Sequence, residues 1–137
     1  MIIAVRDLRE VESSNLIRVK VGKPRQARAG DWVCPFYITG LGGPAKYSAY
    51  GIDAIQALQM AFEGIRTELQ KSGKQMTWVG GELGDTGFAR LLPTAFGPEF
   101  SQRLEQLLDQ EIAQFAQTAE TTHRKSSALP KKKKGKG

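Results

Sequence analysis

One periodic segment, Ile52 to Gln70, constrains this chain more than any other stretch. Within it Ile52, Ile55, Leu58, Phe62, Ile65 and Leu69 recur every three or four residues, the spacing that lines side chains on one face of an α-helix. Ala54, Ala57 and Ala61 widen that face. Asp53 stands where an N-cap belongs, with Gln56 three residues on as partner in a variant of the capping box. Its charge suits the positive end of the helix dipole. Gln59, Glu63, Arg66, Thr67 and Gln70 take the opposite face, Glu63 and Arg66 at i,i+3 pairing distance. A helix with one apolar face must lie on a second layer.

The preceding fifty residues read as that layer. Met1 to Val11 and Leu16 to Lys23 are two predicted strands joined by the turn Glu12-Ser13-Ser14-Asn15. In the second, Ile17, Val19 and Val21 alternate with Arg18 and Lys20, the period of a half-buried antiparallel strand. Pro24 to Asp31 breaks the pattern, and its Lys23, Arg25 and Arg28 surroundings read as a solvated loop. Trp32 to Thr39 is the clearest strand, with Trp32, Cys34, Phe36 and Ile38 on one face. Pro35 cannot donate to a ladder and belongs at a bulge or facing away from a neighbour. Gly40 to Pro44 turns the chain, and Ala45 to Tyr50 returns as a fourth strand.

Past the helix, Gly73 is a predicted C′ residue and Gln75 to Val79 a short fifth strand. The glycine-rich stretch Gly80 to Gly87 is a loop, which Phe88 to Leu92 pins to the core. A second helix, about 98–119, opens on Pro98 at a position where its missing donor is harmless. Phe100, Leu104, Leu107, Leu108, Ile112 and Phe115 form its stripe, suited to packing on its own sheet or on its copy in a homodimer. The predicted fold is therefore α+β: an antiparallel sheet of four to five strands, built from two hairpin-like pairs and packed by a helix at about 52–72. Residues 1–120 are expected to form one domain, with 121–137 a disordered lysine-rich tail.

Charge follows that division. Residues 121–137 hold seven basic residues and no acid, whereas 1–120 hold thirteen basic against fourteen acidic, so the net charge of +6 belongs to the tail. The near-neutral balance of the candidate domain weakens the argument for a basic nucleic-acid-binding face on it. Lys131, Lys132, Lys133, Lys134 and Lys136 are the candidate phosphate-binding residues, expected to act without sequence preference and with steep salt dependence.

The motif Trp32-x-Cys34-Pro35-Phe36-x-Ile38-x-Gly40, followed by Ala49-Tyr50-Gly51-Ile52-Asp53-Ala54-Ile55-Gln56-Ala57-Leu58-Gln59 and later by Gly80-Gly81-Glu82-Leu83-Gly84, resembles a family of small, uncharacterised bacterial proteins carrying a domain of unknown function. The resemblance runs over roughly Met1 to Glu120. It implies bacterial origin and a shared fold, and it supplies no catalytic residues.

The residues themselves carry little chemistry. The one histidine, His123, falls in the expected tail, so no Ser-His-Asp or Cys-His set and no His/Cys zinc site can form within the domain. No cofactor is implied. Cys34 has no histidine near it in sequence and reads as an inert core thiol. The loop Gly80 to Gly87 lacks the G-K-[ST] of a phosphate-binding loop, and Glu82 with Asp85 would make a poor cation site. A carboxylate enzyme using Asp53, Glu82 and Asp85, with Glu63 nearby, is the last of three readings. Ahead of it stand a nucleic-acid-associated protein using its lysine tail and, first, a non-enzymatic protein-interaction or regulatory module. Tyr50, Asp53, Gln56 and Gln59 are that module's candidate binding surface. The amino terminus lacks a signal-peptide pattern and no run spans a membrane, so a cytoplasmic setting is expected.

Overall fold

A computed structural model describes the backbone of residues 1–128 and the side chains of residues 1–121. The element order is β1 (Ile2–Glu10), β2 (Leu16–Gly22), β3 (Arg25–Gln26), β4 (Trp32–Thr39), β5 (Lys46–Gly51), α1 (Ala54–Lys71), β6 (Met76–Thr77) and α2 (Pro98–Ala128). All strand pairs are antiparallel, and the six strands form one sheet. The fold is α+β. The chain forms two compact units, Met1–Leu91 and Leu92–Gly137.

In the first unit β4 is the hub. It pairs β5 along one edge and β2, then β3, along the other. The loop read as solvated thus contains a two-residue strand, because Arg25 and Gln26 continue the β2 line opposite Val33 and Trp32. Pro35 falls in the gap where β2 pairing has ended and β3 pairing has not begun, so its missing N–H disrupts no bond on that side. Cys34 is fully buried there, its Sγ donating to the Gly22 carbonyl at 3.4 Å. Residues directly opposite in the ladders share a face. That face therefore reads Leu8–Ile17, Arg6–Val19–Ile38 and Ala4–Val21–Phe36–Tyr47 across the strands. On the outer face Asp7 and Arg18, paired across β1 and β2, form a two-pronged ion pair at 2.7 and 3.0 Å.

Helix α1 lies on β4 and β5. Its buried residues are Ala57, Ala61, Ile65 and Leu69, a single i,i+4 line. Leu58 and Phe62 are half-buried beside it. Two of the expected stripe residues are corrected. Ile52 precedes the helix and is exposed, and Ile55 is 70% exposed while Ile65 is fully buried. At ~100° per residue Ile55 lies outside the arc centred on the alanine line. Small side chains, rather than the largest ones, mark the closest approach. Gly64 shows the same constraint, since a Cβ there would come within 2.9 Å of the Phe36 ring.

The second unit contains α2. Pro98 opens it as expected, with Phe96 and Phe100 packed edge-to-face at 5.4 Å around the entry. The helix runs to Ala128, past its expected end near 119 and through part of the stretch read as disordered. Leu107, Leu108, Ile112 and Phe115 of its stripe are all exposed.

Two stability measurements follow. Ile65→Ala should lower unfolding free energy by ~2–5 kcal/mol, whereas Ile55→Ala should stay within about 0.5 kcal/mol of the parent in urea titrations. The Arg18 guanidinium, bonded to Asp7, holds its carboxyl below the ordinary value of 3.8. The pair's contribution is therefore complete above that value and lost as pH falls through the lowered one. Asp7→Asn should flatten that part of the acid limb in a stability-versus-pH curve.

Candidate functional site

Tyr50, Asp53, Gln56 and Gln59, the expected binding surface, are all exposed around the start of α1. Asp53 is the N-cap of α1, its Oδ1 accepting the Gln56 backbone N–H at 2.7 Å. Gln56 reaches back in turn, its Oε1 accepting the Ile52 N–H at 2.7 Å. The capping-box variant therefore forms, and it occupies the two side chains that were candidates for a ligand. Tyr50 also lines a cavity of about 540 Å³ with Tyr47, Met60, Glu63, Thr67 and Glu68, a lining that does not include the other three. The Lys131–Lys136 run lies outside the described residues. Asp53, Glu82 and Asp85 are not in the lining of that cavity. Asp85 instead closes its own loop, Oδ1 accepting from the Gly87 N–H at 2.7 Å.

A different site stands at the other end of the sheet, around Arg6. Its register opposite Val19 puts a cation on the apolar face of β1, between Ala4 and Leu8. The charge is accommodated by aromatic faces. The guanidinium carbon lies 4.2 Å from the Trp78 ring centroid and 4.8 Å from that of Phe88, and Nη1 donates to the Gly87 carbonyl at 2.9 Å. Contacts of this kind are worth ~0.5–2 kcal/mol each, more where water is excluded. The glycine-rich loop is shaped by the same cluster. A Cβ at Gly81 would sit 2.2 Å from Trp78 Nε1, and one at Gly87 2.5 Å from Arg6 Nη1. These glycines exist because the backbone lies directly on the indole and the guanidinium. The buried Trp78 Nε1 has no acceptor among the described residues, a cost of the close wrap.

Residues 87–91 then roof the β1–β2 half of the sheet. Phe88 meets Phe62 of α1 at 6.2 Å between centroids, and the Leu91 N–H donates to Glu63 Oε2 at 3.3 Å. Glu63 also pairs with Arg66 at 3.2 Å, as their spacing predicts. Beneath the roof is a cleft of about 440 Å³, lined by Ala4, Val5, Arg6, Val19, Val21, Phe62, Gly87, Phe88, Ala89 and Leu91. Its volume falls in the range of ordinary ligand pockets. Arg6 is the one charged residue in the lining, and no carboxylate pairs with it among the described residues. Beside the cleft runs an open strand edge. β1 pairs β2 along its length, but on its other side β6 meets only Arg9 and Glu10.

Sequence reading did not single out Arg6, which lies inside the predicted strand Met1 to Val11 and belongs to no motif. The signal was present: Ala4, Arg6 and Leu8 share a face in any regular strand. The site is that of a small α+β domain presenting an apolar cleft next to an unpaired strand edge. Residues 4–90 match the model of DUF6968, a domain of unknown function. The chain belongs to that family. The match ends at Arg90, short of the Glu120 to which the motif resemblance extends. No curated protein and no solved structure matches the chain.

Two perturbations probe the cluster. Gly81→Ala should destabilise by ~1–3 kcal/mol and shift tryptophan emission, since loop and indole must part. Cys34, with its thiol pushed up by burial, should react with a thiol reagent only at the rate of unfolding.

Proposed function

We propose that this is a non-enzymatic protein-interaction module of the bacterial cytoplasm, taking an extended segment of a partner against the free edge of β1. The observation that carries the reading is the juxtaposition of that edge with the Arg6 cleft. Along Ile2–Leu8 the outer edge has no strand partner among the described residues, and the side chains there include Ile3 and Val5, the latter 56% exposed. An unpaired, apolar edge is a template for strand addition. Main-chain bonds to an incoming strand supply affinity, and pockets for alternate side chains supply choice. Here the cleft would take one apolar side chain, and the unused N–H groups of Arg6 would favour a carboxylate close behind it.

Catalysis has little to work with in this setting. The cleft lining holds one cation and otherwise apolar residues and glycine, with no nucleophile–base pair. The buried thiol of Cys34 lies on β4 and outside the cleft lining. The cytoplasmic reading is supported by Cys34 being the single cysteine of the sequence, with no partner in its own chain for a disulfide. Among the described residues, no helix is long and apolar enough to cross a membrane.

A displayed library of extended peptides, selected on the full chain, tests the reading. Selected sequences should alternate apolar and polar residues with an acid adjacent to the apolar anchor. Binding should slow amide exchange at residues 3–8, and Ile3→Lys with Val5→Lys should weaken it about tenfold or more, ~1.4 kcal/mol, without loss of stability. Protection mapped elsewhere, or affinity indifferent to the edge lysines, would overturn it.

A further inference from the structure

The open stretch of the β1 edge is bounded at both ends, and its one inward-facing cation stands beside the far end. There β6 holds Arg9 and Glu10 in the ladder, and the Val11 N–H bonds to the Gln75 carbonyl at 2.9 Å. The chain leaving β6 stacks Trp78 on the Arg6 guanidinium and folds back, Gly84 donating to the Met76 carbonyl at 3.2 Å. At the near end the β1–β2 register shifts between Ile2 and Ala4, an irregularity that interrupts pairing and bends a strand. Between these limits Val5 and Asp7 turn their main-chain groups away from β2. That follows from the Glu10 N–H bonding inward to Asn15 and the Val11 N–H outward to Gln75, since outward groups recur at every second residue. An added strand thus has room for only a few residues. A segment from the middle of a partner would run on into the ladder position that β6 already fills. A chain that stops at Arg6 meets no such obstacle.

Charge selects which end of a chain that is. A guanidinium offers five N–H groups, and Nη1 of the half-buried Arg6 serves the Gly87 carbonyl. The carboxylates of the roof and its support are committed elsewhere. Asp85 accepts from the Gly87 N–H, and Glu63 accepts from the Leu91 N–H and pairs with Arg66. An amino terminus would set one cation against another, whereas a carboxylate gains charge-assisted bonds in the guanidinium plane. Neighbouring side chains of an extended segment point to opposite faces. A side-chain acid next to the apolar anchor therefore reaches Arg6 only by bending back across the strand. The α-carboxylate of the anchor residue itself is already beside it.

We propose that the β1 edge takes the carboxyl-terminal residues of a partner protein, running in the same direction as β1. The last side chain fills the cleft against Val19, Val21, Phe62, Phe88 and Leu91, and its α-carboxylate lies on Arg6. This inference rests on the strand-addition reading of the edge and adds which part of the partner is bound.

Fluorescence anisotropy on the full chain tests it. The probes are labelled peptides of about six residues, an ordinary strand length, alternating valine and threonine and ending in leucine, valine or phenylalanine. With a free carboxylate the best of them should bind about tenfold or more tightly than its carboxamide, and than the same peptide lengthened by a pair of glycines. Arg6→Gln should erase the difference between acid and amide. Amidation alters the peptide alone, so its result stands even where Arg6→Gln loosens the lid. Equal affinity of acid, amide and lengthened peptide, with residues 3–8 still protected from amide exchange, would overturn the terminal assignment and leave the edge reading in place. Protection of residues 3–8 by none of the peptides would remove the edge reading and this inference with it. Displacement of the peptide by an equal concentration of decanoate would mark a site for small amphipathic acids and overturn the proposal as well.

Discussion

The first unit depends on one close contact, the line Ala57–Ala61–Ile65–Leu69 of α1 against β4 and β5. Small side chains at 57, 61 and 64 let the helix backbone come down onto the Phe36–Tyr47 stack, whose rings lie 5.1 Å apart and nearly parallel. Glycine inside a helix costs about 1 kcal/mol relative to alanine. At Gly64 that cost is offset by a contact no larger residue could make. The helix consequently sits toward one side of the sheet, and everything else follows from where it does not reach.

The uncovered side is the β1–β2 half, with Ala4, Arg6, Val19 and Val21 facing inward. Apolar surface of that kind needs a lid, and with α1 committed to β4 and β5 the lid is irregular chain. Irregular chain over a sheet must satisfy its backbone groups individually. The 78–91 segment does so piecemeal. Gly87 supplies its carbonyl to Arg6, Leu91 donates to Glu63, Asp85 accepts from Gly87, and Gly84 donates to the Met76 carbonyl. Arg6 is the tie between lid and sheet. A lysine in its place would lack the planar group that stacks between two rings while bonding in its own plane. A cleft remains because a loop tied at a few points does not fill space as a helix would.

Period and turn chemistry were legible where they act locally. Strand β4 begins and ends at the expected residues, and the Asp53 cap forms with the expected partner because capping depends on residues four apart at most. Rotation of α1 was not legible. Hydrophobicity ranks Ile52 and Ile55 above Ala57 and Ala61, yet a helix over a stacked aromatic pair is set by how near its axis can come, a tertiary quantity. The site was hidden for the same reason. Gly80 to Gly87 announces a turn in sequence, but its shape is dictated by Trp78 and Arg6, and the second of these lies more than seventy residues away. Gln56 was read both as the cap's partner and as a surface residue, and its bond to the Ile52 N–H bears out the first.

The division of the chain at Leu91 separates two ways of leaving apolar surface exposed. In the first unit the exposed groups are backbone and side chain together, at an edge that only an extended segment can complete. In the second they are side chains alone, on a helix whose backbone is already satisfied and which therefore needs a packing partner rather than a hydrogen-bonding one. The two surfaces call for different occupants on physical grounds, and neither can substitute for the other. A strand-forming segment gains nothing along α2, because no ladder bonds are on offer there. A second helix laid along β1 would leave the edge N–H and C=O groups as unpaired as before and would bury them, at a cost of ~1–3 kcal/mol for each group that loses water without gaining a partner. An extended segment and a helix thus answer different physical needs, each set by the kind of group its unit leaves exposed.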